Sequence, residues 1–225
     1  MKTRKAIIDD GCNHELVSSA EFDGQLEIPK IYAPDKIIIP TGIIPFSKRN
    51  RVMNYSEAIG FYEMDINFAE VLHSPSNYIS DFKRFSALIT PDCSLYRDAP
   101  LAVQITNLYR NRAIGNYYQN KGLYVIPQIR WGNELTYTTK FLPEKIAFLG
   151  VEKHSIVAIG TYGCIVWKEN KRFFRSGLKA MIETLEPDVV LVYGSMPESV
   201  FGEFKNDTHF VKFPDWTTRM HGGGH

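Results

Sequence analysis

Cysteine is scarce in this 225-residue sequence, and the few cysteines are widely separated. There are three, Cys12, Cys93 and Cys164, and none forms a C-x-x-C pair. An odd number of isolated cysteines argues against a disulfide framework and against a zinc ribbon. We therefore expect a protein that folds in a reducing compartment, and we predict no metal site.

Long hydrophobic runs are also missing. The longest are residues 37–39 and 189–192, which have the length of a β-strand rather than of a membrane span. The basic start, residues 1–5, is followed only by Ala6-Ile7-Ile8 before Asp9. That stretch is too short for the core of a signal peptide. These absences predict a cytoplasmic protein with no membrane partner.

The sequence has no excess of charge of either sign. Lysine and arginine number 26, aspartate and glutamate 25, and the net charge is +1. This balance argues against a strongly basic nucleic-acid binder, although local basic clusters occur at 48–51 and 168–175. We therefore rank nucleic acid below other partners.

Standard catalytic signatures are absent as well. The sequence contains no P-loop, no G-x-G-x-x-G, no H-E-x-x-H, no G-x-S-x-G and no EF-hand spacing. No cofactor can be named from it, and whether the protein is an enzyme stays open.

Proline and the pattern of apolar residues divide the chain into three parts. Pro29, Pro34, Pro40 and Pro45 interrupt residues 1–57, because each proline removes a hydrogen-bond donor and favours extended backbone before it. We expect an irregular N-terminal extension there, with short extended pieces at 26–31 and 36–39. Residues 58–216 are predicted to form an α/β domain, and residues 217–225 a flexible tail.

Within 58–216, apolar strand-like runs alternate with helical stripes. The pattern predicts strands at 59–65, 86–91, 123–129, 156–161, 189–193 and 209–213, and helices at 99–120, 138–148 and 169–186. Asp98 is the predicted N-cap of the first of these helices. Alternation of this kind indicates a mostly parallel sheet with helical crossovers. We favour an incomplete or distorted (β/α) barrel-like sheet, with an open doubly wound sheet as the alternative.

Both architectures place functional sites at the carboxyl ends of the strands. Asp92 ends a predicted strand and is the candidate catalytic residue, as an acid/base, with a metal ligand or a simple turn residue as the alternatives. Arg130 suits an anion, although a structural ion pair with Asp92 or Asp65 is equally consistent. The candidate ligand-binding residues are Arg130, Trp131, Tyr96, Tyr162, Asp65 and Tyr193.

Four segments carry a resemblance to a known family. They are ITPDCSLYRDAPLAVQ at 89–104, NLYRNR at 107–112, VIPQIRWG at 125–132 and VAIGTYGC at 157–164. The sequence from about residue 60 onward resembles a bacterial domain family of unknown function carried by phages, plasmids and other mobile elements. The resemblance implies a phage or mobile-element setting in a bacterial host cell, and it supports Asp92, Tyr96, Arg130 and Trp131 as a site. It implies no activity.

Three hypotheses for function follow. The first is an accessory protein that binds or processes a small phosphorylated or nucleotide-like ligand at the strand ends. The second is a non-enzymatic protein that binds a host replication, transcription or defence protein through its N-terminal segment and tail. The third is a nucleic-acid-binding accessory protein that uses the basic clusters.

Overall fold

A computed structural model describes residues 13–51 and 54–222 of the chain. Its strands form one short ladder and two parallel sheets. β1 (Phe22–Asp23) and β2 (Ile28–Pro29) pair antiparallel. The first parallel sheet contains, in order, β3 (Ile43–Pro45), β4 (Ala58–Gly60), β5 (Ala87–Ile89) and β6 (Val125–Ile126). The second contains β7 (Ile156–Gly160), β8 (Val189–Tyr193) and β9 (His209–Phe213).

Helices connect these strands. They are α1 (Ala69–His73), α2 (Ile79–Phe82), α3 (Leu101–Asn120), α4 (Glu134–Tyr137), α5 (Lys168–Leu185), α6 (Glu198–Phe201) and α7 (Trp216–Gly222). Short 3-10 turns occur at His14–Val17, Phe46–Arg51, Asp65–Asn67, Pro75–Tyr78, Ile146–Phe148 and Gly202–Phe204. The two long crossovers, α3 and α5, cover the outer faces of the two sheets.

The two parallel sheets are joined at a single bridge. The amide of Ala158 donates to the carbonyl of Pro127 at 2.9 Å, and the amide of Ile129 donates to the carbonyl of Ala158 at 2.8 Å. The seven parallel strands β3 to β9 therefore follow each other in chain order, as in a (β/α) barrel. Within the part of the chain that the structure describes, β9 does not pair with β3, so the barrel is not closed.

This arrangement confirms the predicted fold class. The chain is an α/β protein with parallel strands, helical crossovers and an incomplete barrel-like sheet, whereas a doubly wound sheet would reverse its strand order. Alternate residues of all seven strands point inward and form one apolar core. That interior core contains Ile43, Ala58, Ala87, Ile89, Ile126, Ile156, Ala158, Val189, Leu191, Tyr193 and Phe213.

Helix α3 packs a polar face against the sheet, which is unusual for a crossover helix. The Arg112 side chain on this face is buried and donates to the carbonyls of Leu149 at 3.0 Å, Gln128 at 2.9 Å and Ala147 at 3.1 Å. Burial lowers the pKa of Arg112 to about 9, so the guanidinium stays protonated at neutral pH. Arg112 thus ties α3 to three loop carbonyls and holds the crossover in place.

Helix α7 fastens the end of the described chain to the first sheet. Trp216 packs against the apolar cluster on the outer face of that sheet, the outer core, to which Ile44, Ile59 and Leu88 belong. Arg219 donates from both Nη atoms to the two carboxylate oxygens of the buried Glu57, each at 2.7 Å. This bidentate pair connects the segment after β9 to the residue that precedes β4.

Several boundaries differ from the sequence predictions. β4 ends at Gly60 rather than at 65, and β5 and β6 are shorter than predicted. The helix predicted at 138–148 is wrong, because α4 ends at Tyr137 and the stretch 138–148 holds only a 3-10 turn at Ile146–Phe148. The predicted cap at Asp98 is also wrong. α3 begins at Leu101, with Pro100 as its N-cap and no side-chain cap hydrogen bond.

The ends of the chain are more ordered than proline content and polarity suggested. Residues 43–45 of the predicted extension supply β3, the edge strand of the first sheet, while residues 36–39 form no strand. Helix α7 (Trp216–Gly222) begins at the last residue of the predicted domain and takes in residues 217–222 of the stretch expected to be a flexible tail. The remaining tail residues, 223–225, and residues 1–12, including Cys12, lie outside the described residues.

Candidate functional site

The carboxyl ends of all seven parallel strands surround one cavity of about 450 Å³, which we call the mouth cavity. Each strand, or the loop directly after it, contributes to its lining. In strand order these residues are Pro45, Tyr62, Asp92, Arg130, Gly160, Tyr193 and Asp215. Ligand sites of barrel-like α/β proteins lie at this end, so the mouth cavity is the candidate functional site.

A larger depression, of about 930 Å³, lies at the opposite end of the second sheet. It is bounded by residues at the amino ends of β7, β8 and β9, among them His154, Asp188 and His209. The amino-terminal end of such a sheet usually serves stability rather than chemistry. We therefore place the site at the mouth cavity.

An ion pair forms the floor of the mouth cavity. Arg130 Nη1 donates to Asp92 Oδ2 at 2.6 Å, and the Gln128 side-chain amide donates to Asp92 Oδ1 at 2.7 Å. The Asp92 side chain is 11% exposed and that of Arg130 25%. The negative charge of Asp92 raises the pKa of Arg130 further above its ordinary value, against the effect of burial. The guanidinium is therefore charged and fixed in direction.

A buried hydrogen-bond network supports this ion pair from behind. Asn111 Nδ2 lies 3.3 Å from Gln128 Oε1 and donates to it. Asn111 Oδ1 in turn accepts from Thr90 Oγ1 at 3.0 Å and from Arg112 Nη1. The chain of contacts links α3 to Asp92 and so couples the polar face of this helix to the site.

Two stacked tyrosines form one wall. The rings of Tyr62 and Tyr193 lie with their centroids 4.5 Å apart and their planes 8° apart. The Tyr193 hydroxyl oxygen accepts from the Trp216 amide at 2.8 Å, whereas the buried Tyr62 hydroxyl has no hydrogen-bond partner among the residues that the structure describes. Burial and then the charge of Asp92 raise the pKa of Tyr62 well above its ordinary value, so it stays a neutral donor.

A glycine makes room for this wall. A Cβ placed on Gly160, at the end of β7, would lie 2.9 Å from two carbon atoms of the Tyr62 ring. Any larger residue would displace the ring. Gly160 therefore allows the Tyr62 ring to pack against the end of β7 at the mouth cavity.

Two exposed tyrosines flank the opening. Tyr96 is 62% exposed and Tyr162 is 82% exposed, and both line the mouth cavity. Both also line a second cavity of about 430 Å³, the side cavity, on which Trp131 and Phe173 lie as well. The opening is thus bordered by rings that have no packing role in the core.

The other charged side chains at the mouth cavity differ in whether they already have hydrogen-bond or ion-pair partners. Glu63 accepts a hydrogen bond from the Ser47 amide at 2.9 Å, and Asp215 accepts from the Thr218 amide at 2.9 Å. Lys48 lines the cavity and forms no ion pair with any residue that the structure describes. Lys48 and Arg130 are therefore the cations that can face a ligand.

The structure brings together five of the seven residues predicted for the site. Asp92, Arg130, Tyr96, Tyr162 and Tyr193 all line the mouth cavity.

The other two lie elsewhere. Trp131 is 8% exposed, packs against Phe174 in the outer core of the second sheet and reaches only the side cavity. Asp65 lies in a separate cavity beside Cys93, and its carboxylate accepts from the amide and hydroxyl of Ser94 at 3.3 and 3.1 Å. Burial raises the pKa of the Cys93 thiol, which does not suit a nucleophile.

Sequence reasoning missed Tyr62, Gln128 and Lys48. Tyr62 was missed because the predicted strand continued past Gly60 to residue 65, which put Asp65 in its place. Gln128 lies between two apolar residues of a predicted strand and so looked structural. The basic cluster containing Lys48 was noticed, but nothing in the sequence placed it at the strand ends.

The described residues contain neither a metal-binding cluster nor a helix that could span a membrane. Across 13–51 and 54–222, no group of three or more histidine, cysteine, aspartate or glutamate side chains is placed to hold a metal ion. Within the same ranges no helix has both the length and the apolar character that crossing a membrane requires.

Comparison with known proteins places the chain in a family. It is 33% identical over 179 residues to the "Gene 1 protein" of Mycobacterium phage L5, across 78% of this chain and 74% of the phage protein. It is 32% identical over 139 residues to the "Gene 1 protein" of Mycobacterium phage D29, across 62% of this chain and about half (49%) of that protein. No solved structure matches. A family model matches residues 20–214, and the chain therefore belongs to the family described as Domain of unknown function (DUF4417).

Proposed function

We propose that this phage-associated protein binds a small molecule with an anionic group and a planar ring, of the nucleotide type, in the mouth cavity. The observation that carries the proposal is the convergence of all seven strand ends on one cavity that holds both a fixed guanidinium and stacked aromatic rings. A volume of about 450 Å³ lies within the range of small-molecule sites.

Arg130 supplies the anion-binding group. A guanidinium has five N–H donors, and the contact to Asp92 uses one Nη atom of Arg130. No other described residue bonds to this guanidinium. The remaining donors suit a carboxylate or phosphate, which arginine binds with two parallel hydrogen bonds. Lys48 adds a second positive charge at the same cavity.

The tyrosines supply the surface for a ring. Tyr62 and Tyr193 present a rigid stacked pair, and the exposed Tyr162 stands at the opening. Aromatic faces stack on nucleobases without strict sequence preference.

Asp92 acts in this proposal as a positioning residue. Both of its oxygens already accept hydrogen bonds, one from Arg130 and one from Gln128. The carboxylate therefore aims the guanidinium, and the guanidinium contacts the ligand. The role assigned to Asp92 is thus to orient Arg130 for ligand binding.

The contacts of the basic clusters favour a small ligand over nucleic acid. Arg49 pairs with Asp81 at 2.7 Å, and Arg175 pairs with Glu203. Neither arginine is free to neutralise phosphates along a strand. A host-protein contact through the N-terminal segment is also less favoured, because Phe46 and β3 are packed into the fold.

The test is calorimetric titration with the four ribonucleoside 5′-monophosphates. We expect at least one to bind, and Arg130→Gln to weaken that binding by about tenfold or more, since a charge-assisted contact is lost. The matched control is Arg175→Gln, which removes an arginine from an exposed ion pair that lines neither cavity. Wild-type protein that binds none of the four at about 1 mM contradicts the proposal.

A further inference from the structure

The mouth cavity and the side cavity share a boundary. Tyr96, Arg130, Gly160 and Tyr162 line both of them. The two volumes are nearly equal, at about 450 and 430 Å³. Arg130 therefore stands between two spaces of similar size, and the exposed rings of Tyr96 and Tyr162 stand on the same boundary.

The side cavity has aromatic walls of its own. Trp131 and Phe174 form a buried pair with ring centroids 5.2 Å apart, and the half-buried Phe173 lies beside them. The Arg97 guanidinium covers the Phe173 ring at 4.8 Å and pairs with Glu169 at 3.2 Å. A flat group entering this space meets aromatic side chains and the Arg97 guanidinium that is stacked on Phe173.

One polar side chain in the side cavity has no partner. Asn170, on the first turn of α5, lines the cavity, and its carboxamide makes no hydrogen bond to any residue that the structure describes. A carboxamide offers donors and an acceptor together, which matches the edge of a nucleobase. The side cavity thus combines aromatic walls with a carboxamide that can form hydrogen bonds with the edge of a planar ring.

We propose that the natural ligand has two planar rings joined by an anionic linker, and that it straddles Arg130 with one ring in each cavity. This inference rests on the proposed function and names its ligand class, a dinucleotide-type molecule. The linker faces the guanidinium that the two cavities share. One ring packs against Tyr62, which is stacked on the buried Tyr193, and the other lies beside Phe173 and Asn170.

The experiment compares diadenosine diphosphate with ADP by calorimetry. Both probes carry a diphosphate, and only the first has a second ring. We expect diadenosine diphosphate to bind at least about tenfold more tightly, because the second ring adds a stacking contact. Phe173→Ala and Asn170→Ala should each reduce this advantage while the affinity for ADP stays unchanged. The control is Phe141→Ala, an exposed ring that lines neither cavity.

The outcomes separate the two proposals. Equal affinities for the two probes contradict the two-ring ligand and leave the mouth-cavity proposal in place. Weaker ADP binding in Asn170→Ala also contradicts it, because the side cavity would then not be a separate subsite. If neither probe binds to wild-type protein, and the monophosphates fail as well, both proposals fall. The Asn170 side chain makes no hydrogen bond to any residue that the structure describes, so its variant remains informative even if Phe173→Ala does not fold.

Discussion

The stacked rings of Tyr62 and Tyr193 differ in one respect: the Tyr193 hydroxyl is bonded and the Tyr62 hydroxyl is not. Tyr193 accepts from the Trp216 amide at 2.8 Å, while the buried Tyr62 oxygen has no partner within residues 13–51 and 54–222. An unsatisfied buried hydroxyl costs about 1–3 kcal/mol of stability. The ring position of Tyr62, stacked on Tyr193, is therefore kept although its hydroxyl lowers the stability of the fold.

The two tyrosines therefore predict opposite effects of the same substitution. Tyr62→Phe removes an unsatisfied hydroxyl and should leave the free energy of unfolding unchanged or higher. Tyr193→Phe leaves the Trp216 amide without its partner and should lower it by about 1 kcal/mol. Urea unfolding at pH 7 measures both. A clear loss of stability in Tyr62→Phe would show that its hydroxyl has a structural partner.

The raised pKa values of these tyrosines predict sensitivity to alkali. Burial raises the pKa of Tyr193 to about 12, and burial with the charge of Asp92 raises that of Tyr62 well above the ordinary value. Above pH 10 the unfolded chain loses these protons and the folded chain keeps them. Stability is therefore complete below pH 10 and falls as the pH rises toward 12.

Tyr62→Phe should reduce this alkaline loss. At pH 11 we expect wild-type protein to have lost about 1 kcal/mol more than the variant, relative to pH 8. Urea unfolding at the two pH values gives the difference. Identical losses in the two proteins would mean that the Tyr62 hydroxyl ionises as readily in the folded state as in the unfolded one.

Gly177 lies on α5 where the helix meets Trp131. A Cβ at this position would lie 2.2 Å from Trp131 Nε1, well inside contact distance. Alanine is about 1 kcal/mol better than glycine within a helix, but the clash opposes this gain. We expect Gly177→Ala to lower the free energy of unfolding by about 1–3 kcal/mol. Thermal melting measures it, with Ser176→Ala on the exposed side of α5 as the control. A more stable Gly177→Ala would show that Trp131 can move away.

The Glu57–Arg219 pair predicts a measurable coupling between distant parts of the chain. Glu57 is buried, and the two side chains form a bidentate contact across 162 positions. Glu57→Gln, Arg219→Gln and the double variant form a thermodynamic cycle. We expect a coupling energy of about 1–3 kcal/mol, because each single variant leaves a charged partner unpaired. A coupling close to zero would mean that α7 is not held through this pair.

The site residues that sequence reasoning identified share a simple property. Asp92 and Arg130 are charged residues that follow apolar strands, and the rule for parallel sheets places such residues at one edge. β8 and β9 were predicted at their observed limits, because their apolar runs have clear ends. These features depend on local composition and need no knowledge of distant contacts.

The residues that were missed or misplaced depend on orientation. Asp65 and Tyr62 are three positions apart, but β4 ends at Gly60, so only Tyr62 reaches the mouth cavity. Trp131 directly follows Arg130, and its ring points to the outer core because successive side chains of an extended chain point to opposite faces. An error of one residue in a strand end reverses such an assignment.

The sequence by itself therefore determined the α/β class, the alternation of strands with crossover helices and the edge at which charged side chains collect, since apolar periodicity along the chain is a local property. Only the tertiary structure decided that Asp92 pairs with Arg130, that Tyr62 keeps an unpartnered hydroxyl, and that two cavities meet at one guanidinium. Those contacts join residues from different strands and helices. Their geometry depends on strand ends, side-chain directions and packing, which a linear pattern does not encode.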